Sequence, residues 1–263
     1  MSRLKMSWGG LHYREAGDGA PLLLISGLNG LAQPWHRVAQ ALAMRFRVIT
    51  HDHRGVGESD TWAGTYSVRQ IADDILEMMD KLRIERAHIV GHSLGGAVAQ
   101  TIAAHHPERV DHLVIVASWA GPETYFCELM QMRKDVLIGM GTGFFLRSGP
   151  FGIYPPDWIA DHQTAIQEAA SQAAQSFPSH QVILSRIDAC IEHDQRHHLD
   201  RIQAPTLVIG VEDDMTTPAY CSEEIAKGIR QAQLTLLPYG GHNPHVVVPV
   251  QVQQLISNFI SII

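Results

Sequence analysis

Residues 91–95, which read GHSLG, constrain the fold more than any other stretch of the chain. A short apolar run, residues 87–90, precedes them, and a run of small helix-forming residues follows. A serine between two glycines at a strand–helix junction is typical of the G-x-S-x-G nucleophile elbow, although an ordinary small-residue turn could also place a serine there. Side chains at the two glycine positions would clash where strand and helix meet. The pattern therefore predicts a strained turn that lifts the Ser93 hydroxyl toward solvent.

The composition is that of an ordinary globular protein and narrows the range of partners. Of 263 residues, 45% are hydrophobic and 18% are charged, and the formal net charge is −7. This charge argues against nucleic acid and anionic membrane surfaces as partners. The three cysteines are widely spaced, as in reduced cytoplasmic proteins, and no secretory signal or membrane-length apolar run is recognisable. We expect a cytoplasmic monomer or homodimer that binds a small-molecule substrate.

Strand-sized apolar runs alternate with segments of helical period over most of the chain. The eight predicted strands are the two of a hairpin over residues 6–16 and single strands near 21–25, 46–50, 86–91, 112–117, 205–210 and 233–237. This alternation predicts an α/β fold with a mostly parallel eight-stranded sheet and helices on both faces.

The alternation of strands and helices stops after the sixth predicted strand. In the following stretch, apolar residues recur at helical spacing over residues 123–137, 157–174 and 179–192. We therefore predict a core made of residues 1–118 and 203–263, with residues 119–202 inserted as a helical cap. Such a cap would cover the carboxyl edge of the sheet, where ligands bind in folds of this kind.

A serine hydroxyl needs a base to accept its proton, and the base needs a carboxylate to orient it. In chains with this elbow pattern, the acid and the base follow the serine in that order, on loops after later strands. The last predicted strand is followed by His242, with His245 as the alternative base. The strand before it is followed by three candidates for the acid, Glu212, Asp213 and Asp214. The sequence therefore predicts a serine, a histidine and a carboxylate that act together.

Attack of such a serine on a carbonyl group also needs hydrogen-bond donors for the developing oxyanion. The backbone N–H of Leu94, at the start of the helix, is one candidate. A second is the N–H of Leu28, in the loop after the first parallel strand, although an ordinary glycine turn would also explain that loop. No metal ion or organic cofactor is expected, because His193 and His197, four residues apart, lack an obvious third ligand.

Several segments together resemble the α/β-hydrolase family. They are the elbow at 91–95, Asp52 with the loop 54–59, Asp214 with Pro218, and His242 after a glycine pair, all in family order. In that family the acid often lies four residues before such a proline. The resemblance therefore favours Asp214 over Asp213 as the acid.

Four further segments resemble two branches of that family, the aminoacrylate or carbamate hydrolases of pyrimidine utilisation and the 3-oxoadipate enol-lactone hydrolases. They read LISGLNG (24–30), YPPDW (154–158), EDDMTTPAYCSEE (212–224) and PYGGH (238–242). The resemblance implies a serine hydrolase that cleaves a small ester, lactone, carbamate or amide through an acyl-enzyme on Ser93. A carbon–carbon bond hydrolase with the same triad and a non-enzymatic receptor for a small ligand are the alternatives.

The predicted cap carries aromatic residues that could form an apolar wall for the substrate. Trp119, Tyr154 and Trp158 are the candidates for substrate contact, although each could instead belong to the core of the cap. Contacts to a substrate carboxylate could come from three cationic residues, Arg133, Lys134 and Arg147. A solvated helix face is the simpler interpretation of those three.

Overall fold

One eight-stranded sheet forms the centre of the protein in the computed structural model, which describes residues 2–62 and 64–261. Its strands are β1 (Ser2–Met6), β2 (Gly9–Ala16), β3 (Ala20–Ile25), β4 (Phe46–His51), β5 (Ala87–His92), β6 (Val110–Val116), β7 (Thr206–Val211) and β8 (Gln233–Leu237). They lie in the order β1-β2-β4-β3-β5-β6-β7-β8, with β1 and β2 antiparallel to their neighbours and all later pairs parallel. The predicted mostly parallel sheet is confirmed.

The central strand β3 is buried on both faces because its residues 22–25 are all large and apolar. In β3, Leu22 and Leu24 point to one face and Leu23 and Ile25 to the other, as the two-residue period of a strand requires. All four side chains are fully buried. Such a continuous apolar run requires a helical layer on each side of the sheet.

Helices provide these two layers. In the described residues they are α1 (His36–Leu42), α2 (Val68–Lys81), α3 (Leu94–His105), α4 (Thr124–Ser148), α5 (Pro150–Ile153), α6 (Pro156–Asp161), α7 (Gln163–Gln175), α8 (His180–Glu192), α9 (Ala219–Gly228), α10 (Pro244–Val247) and α11 (Pro249–Ile260). Helices α2, α3 and α9 pack on the face of Leu23 and Ile25, and α1 and α11 pack on the opposite face. Within the described ranges, none of the helices combines the length and the apolar character needed to cross a membrane.

Five helices, α4–α8, lie between β6 and β7, in a stretch that the structure describes completely. Helix α4 is interrupted at Gly141, whose φ of 75° and ψ of 178° are not helical, within the separator that the sequence predicts at residues 139–143. The single helix predicted over 157–174 is in fact two helices, α6 and α7, with a break at His162. We call residues 119–202 the helical insertion. Their assignment to a separate cap stays a prediction, and residues 1, 63, 262 and 263 of the predicted core lie outside the described residues.

Helix α3 leaves β5 in close contact with the neighbouring strand β3. A Cβ atom at Gly95 would lie 2.2 Å from the carbonyl oxygen of Ile25 in β3, and one at Gly91 would lie 2.1 Å from the carbonyl oxygen of Gly95. Non-bonded atoms of this kind prefer separations of about 3.5 Å or more. The helix can therefore sit this close to the sheet only because both positions are glycine.

A methyl group at residue 95 should force α3 away from β3. We expect Gly95→Ala to lower the free energy of unfolding by at least about 2 kcal/mol, because a backbone carbonyl cannot move aside as a flexible side chain can. Urea denaturation followed by circular dichroism measures this change. Gly139→Ala is the matched control, since a Cβ there meets nothing within 4 Å. It should raise stability by about 0.5–1 kcal/mol, and equal effects of the two variants would contradict the close packing.

Candidate active site

Ser93 lies in the turn between β5 and α3, at the carboxyl edge of the sheet. Its backbone has φ 53° and ψ −119°, a region that residues with side chains rarely adopt. Two hydrogen bonds hold it there. Its N–H donates to the carbonyl oxygen of Val116 at 2.9 Å, and its carbonyl oxygen accepts from Ser118 Oγ at 2.8 Å. The strained turn expected from the sequence is therefore present and is fixed by β6 and the residues after it.

Ser93, His242 and Asp214 form a continuous chain of hydrogen bonds. Ser93 Oγ lies 2.8 Å from His242 Nε2, and His242 Nδ1 lies 2.9 Å from Asp214 Oδ2. Because a carboxylate only accepts hydrogen bonds, Nδ1 carries the ring proton and Nε2 accepts the hydrogen of the Ser93 hydroxyl. All three residues are buried. The fold thus brings together the serine, base and acid that the sequence places on three separate loops.

Asp214, and not its neighbour Asp213, contacts the histidine ring. The Asp214 carboxylate also accepts hydrogen bonds from the N–H groups of Thr216 and Thr217, at 2.7 and 3.0 Å, and from Thr217 Oγ1 at 2.9 Å. Asp213 instead accepts a hydrogen bond from the N–H of Gly241 at 2.8 Å. The two adjacent carboxylates therefore hold different parts of the histidine loop, one the ring and the other the backbone.

Contacts on both sides of its backbone position His242. Its N–H donates to the carbonyl oxygen of Ile153, at the end of α5, at 2.8 Å. Its carbonyl oxygen accepts a hydrogen bond from His92 Nε2 at 2.7 Å. The histidine loop is therefore held by the core through His92 and by the helical insertion through Ile153.

Two backbone N–H groups beside Ser93 have no acceptor among the described residues. They belong to Leu94, the first residue of α3, and to Leu28, in the loop after β3. Gly27 brings that loop against the serine, since a Cβ at Gly27 would lie 3.1 Å from Ser93 Cβ. Both N–H groups predicted as oxyanion donors are thus free for a ligand, and that of Leu94 lies at a helix N-terminus, which favours negative charge.

A cavity of about 100 Å³ lies beside the Ser93 hydroxyl. The core contributes the loop after β3, His92, Ser93 and His242 to its lining. The helical insertion contributes an apolar wall made of Trp119, Phe126, Leu129, Met130 and Ile153. A cavity of about 150 Å³ can hold a molecule as large as benzene, so this one suits a group of only a few carbon atoms.

Of the three aromatic residues predicted to contact substrate, the structure places only Trp119 on this cavity. Trp119 is buried and packs on Phe126, with ring centroids 4.4 Å apart. Tyr154 lines a neighbouring cavity, and Trp158 is not among the residues that line either one. Tyr154 and Trp158 stack on each other at 4.4 Å, and Trp158 also stacks on His162 at 4.1 Å. Their apolar faces therefore pack on each other and are not part of the cavity wall beside Ser93.

The two histidines considered as metal ligands have other surroundings. His193 is buried and packs edge-to-face with Trp119, with ring centroids 6.0 Å apart, while His197 is exposed. Among residues 2–62 and 64–261, no three His, Cys, Asp or Glu side chains are grouped so as to hold a metal ion. The chemistry that the described site residues themselves offer is attack by a serine hydroxyl with a histidine as proton acceptor.

Comparison with known proteins gives the family. The family model of the alpha/beta hydrolase fold matches residues 20–137. A relative from Caulobacter sp. strain K31, named "Putative carbamate hydrolase RutD", is 35% identical over 252 residues, which are 95% of this chain and 94% of the relative. The chain belongs to the α/β-hydrolase family.

Other members resemble this α/β-hydrolase over nearly its whole length. A relative of the same name from Azorhizobium caulinodans is 34% identical, covering 95% of this chain and 94% of the relative. The structure of a hydrolase from Pseudomonas aeruginosa has a TM-score of 0.87 at 28% identity, covering 99% and 98% of the two chains. The enol-lactonase from Burkholderia xenovorans shares the fold, with a TM-score of 0.91 at 22% identity and coverage of 99% and 100%. The expected fold and the resemblance to carbamate hydrolases are confirmed.

Arg186 is a site residue of this α/β-hydrolase that sequence reasoning missed. It lies in α8 and is fully buried, and burial lowers its pKa to about 10. Its Nε donates to the carbonyl oxygen of Leu28 at 2.8 Å, and its Nη2 donates to His53 Nδ1 at 3.0 Å. The insertion thus fixes the loop that carries one predicted oxyanion donor. Arg186 falls on the apolar stripe of α8 with Val182 and Ile183, and a cation on such a stripe is the sequence signal that could have found it.

A layer of uncharged histidines lies against the His242 ring of this α/β-hydrolase. His245, the alternative base, stacks on Trp35 at 4.2 Å, and the His92 ring lies 4.5 Å from His245 and 5.0 Å from His242. Burial lowers the pKa of His245 to about 3 and that of His92 well below its ordinary value. Both rings are therefore neutral at pH 7 and do not repel a positive charge on His242.

The buried histidines should make the protein sensitive to mild acid. As the pH falls below about 6.5, the unfolded chain takes up a proton at residue 245 while the folded protein does not, because its His245 pKa is about 3. This contribution to stability is therefore complete above pH 6.5 and is lost progressively below it. We expect His245→Asn to reduce the pH dependence of the free energy of unfolding by about 1 kcal/mol per pH unit between pH 6.5 and 5.

Urea denaturation at half-unit pH steps measures this slope, independently of any general loss of stability in the variant. His197→Asn is the control, because His197 is exposed and replacing it should leave the slope unchanged. An unchanged slope in His245→Asn would show that the His245 ring is charged in the folded protein.

Proposed function

We propose that this enzyme is a serine hydrolase that cleaves the acyl bond of a small ester, lactone, carbamate or amide through an acyl-enzyme. The observation that carries the proposal is the hydrogen-bond chain from Ser93 through His242 to Asp214. Its direction lets the hydroxyl proton move to Nε2 as the serine oxygen attacks a carbonyl carbon. The fold and the family place the protein among enzymes in which this chemistry is common.

In the first half of the proposed reaction, Ser93 Oγ forms a bond to the carbonyl carbon and its proton passes to His242 Nε2. Asp214 accepts the Nδ1 hydrogen bond throughout and stabilises the imidazolium that forms. The carbonyl oxygen, now negative, accepts hydrogen bonds from the N–H groups of Leu28 and Leu94. His242 then gives its proton to the leaving group as the bond between that group and the acyl carbon breaks.

In the second half, water replaces the leaving group. His242 accepts a proton from the water as its oxygen attacks the acyl carbon, and the same two N–H groups again hold the oxyanion. The bond to Ser93 Oγ then breaks, and His242 returns the proton to the serine. The products are the free acid, or the carbamic acid from a carbamate, and the unchanged enzyme.

The cavity and the relatives indicate which substrates to test. A volume of about 100 Å³ and an apolar wall favour an acyl group of a few carbon atoms. Relatives named as carbamate hydrolases make small carbamates the first bond type to examine, followed by lactones and esters. We also propose a cytoplasmic location, because the three cysteines, Cys127, Cys190 and Cys221, are free thiols.

Replacing Ser93 tests the nucleophile. We expect Ser93→Ala to lower kcat for p-nitrophenyl acetate by at least about a thousandfold, because the acyl-enzyme can no longer form. A fluorophosphonate probe should label the wild-type enzyme at residue 93 and leave the variant unlabelled. Ser171→Ala changes an exposed serine in α7 and should keep both activity and labelling. Full turnover by Ser93→Ala would refute the proposed mechanism.

The two adjacent carboxylates should differ sharply in their effect on rate. Asp214→Asn removes the acceptor that fixes the His242 tautomer, so kcat should fall by about three to four orders of magnitude. Asp213→Asn keeps an amide oxygen that can accept from the Gly241 N–H, so its kcat should stay within about tenfold of wild type. Steady-state kinetics on p-nitrophenyl acetate measure both. The reverse order would assign the acid role to Asp213.

A further inference from the structure

Arg133 brings a positive charge to the cavity beside Ser93. It lies on the face of α4 that also carries Phe126 and Met130, and all three side chains line the cavity. Among the described residues that line the cavity, Arg133 is the only arginine or lysine, and none carries a carboxylate. The helical spacing of 126, 130 and 133 places this cation on the inner face of the helix rather than on a solvated one.

The Arg133 guanidinium has no hydrogen-bond or ionic partner among the described residues. The structure places it over the Phe145 ring, with Cζ 4.6 Å from the ring centroid. The buried guanidinium of Arg54, by contrast, is paired with the carboxylate of Asp74. Burial lowers the pKa of Arg133, but an arginine still keeps its proton at any physiological pH. Arg133 is only partly exposed, so its charge is incompletely hydrated, and an anionic ligand would offset that cost.

The groups around Arg133 do not supply that anion. Cys190 lines the same cavity, but burial raises the pKa of its thiol to about 12, so it is uncharged at pH 7. His92 and His245, which also line the cavity, are neutral as well because burial lowers their pKa values. The charge of Arg133 is thus uncompensated within the cavity, which favours a negative ligand there.

We propose that Arg133 binds a carboxylate of the substrate, so that the enzyme prefers small anionic acyl compounds to their neutral counterparts. This inference rests on the proposed serine hydrolase function and narrows its substrate class. A planar guanidinium can bind both oxygens of a carboxylate at once, which fixes the orientation of the substrate as well as its charge. The apolar wall between Arg133 and Ser93 would then contact the few carbon atoms that separate the carboxylate from the reacting carbonyl.

Two pairs of compounds test the preference. In the first pair the acyl group carries either a carboxylate (monomethyl succinate) or an amide (methyl succinamate). In the second pair the leaving group carries either a carboxylate (acetoxyacetate) or an amide (acetoxyacetamide). Each is assayed as a competitor of p-nitrophenyl acetate hydrolysis. In at least one pair, the carboxylate should bind the wild-type enzyme about tenfold or more tightly than the amide. Arg133→Gln should abolish that preference, and Arg133→Lys should keep part of it.

Arg147→Gln is the matched control. Arg147 lies beyond the interruption of α4 at Gly141 and also sits over an aromatic ring, with Cζ 5.6 Å from the centroid of Phe144. It is exposed and is not among the residues that line the cavity. This variant should keep the full preference for the carboxylate. Equal binding of carboxylate and amide to the wild-type enzyme in both pairs, or equal weakening of all four compounds by Arg133→Gln, would overturn the proposal. Arg133 would then serve to pack on Phe145.

Binding to the inactive variant separates this inference from the proposed function. In Ser93→Ala, monomethyl succinate or acetoxyacetate should raise the melting temperature more than its amide does, and the additional change Arg133→Gln should remove the difference. Turnover that survives Ser93→Ala would refute the mechanism without affecting this result. Loss of turnover with no difference in melting temperature between carboxylates and amides would refute the role of Arg133 alone.

Discussion

The close contact between α3 and β3 is the constraint on which the rest of the site depends. Because residues 91 and 95 lack side chains, the helix begins directly beside the loop that follows β3. The unusual backbone of Ser93 lies at this junction, Leu94 follows it as the first residue of α3, and Gly27 brings the loop of Leu28 against it. Hydrogen bonds from β6 and the residues after it then hold a turn that would relax in isolation.

Burial decides which groups of the site are charged. The Asp214 carboxylate lies in the interior with three hydrogen-bond donors besides the His242 ring, so it needs no cation beside it. The neighbouring rings of His92 and His245 are kept neutral. Across the cavity, Arg133 stays charged without a partner. The positive charge that faces the cavity is therefore on the helical insertion, whereas Ser93, His242 and Asp214 lie on the core.

Features set by local pattern could be predicted from the sequence, and features set by packing could not. Ser93 and His242 follow strands whose apolar runs mark their ends, so their meeting at one sheet edge is a consequence of topology. Asp213 and Asp214 follow the same strand, and the residues alone did not distinguish them. The Gly241 N–H, which engages only one of the two, shows how they differ. In the insertion, helical period located α8 and the interruption of α4 near its glycines, but it did not reveal that Trp158 stacks on Tyr154 and does not line the cavity.

The contacts that join the insertion to the core have a consequence for how such enzymes diversify. Helix α8 holds the loop of Leu28 through Arg186, and α5 holds the backbone of His242 through Ile153. A chimera that received another member's insertion would have to reproduce both attachments before its new cavity could be used. Helix α4 is attached to the core as well, because the Tyr125 hydroxyl donates to the carbonyl oxygen of Met215, next to Asp214. Positions of α4 that line the cavity, such as Met130 and Arg133, make no such hydrogen bond among the described residues, so mutation there can alter the shape and charge of the cavity. New substrate preferences can therefore arise at cavity-lining positions of the insertion that hold no part of the core.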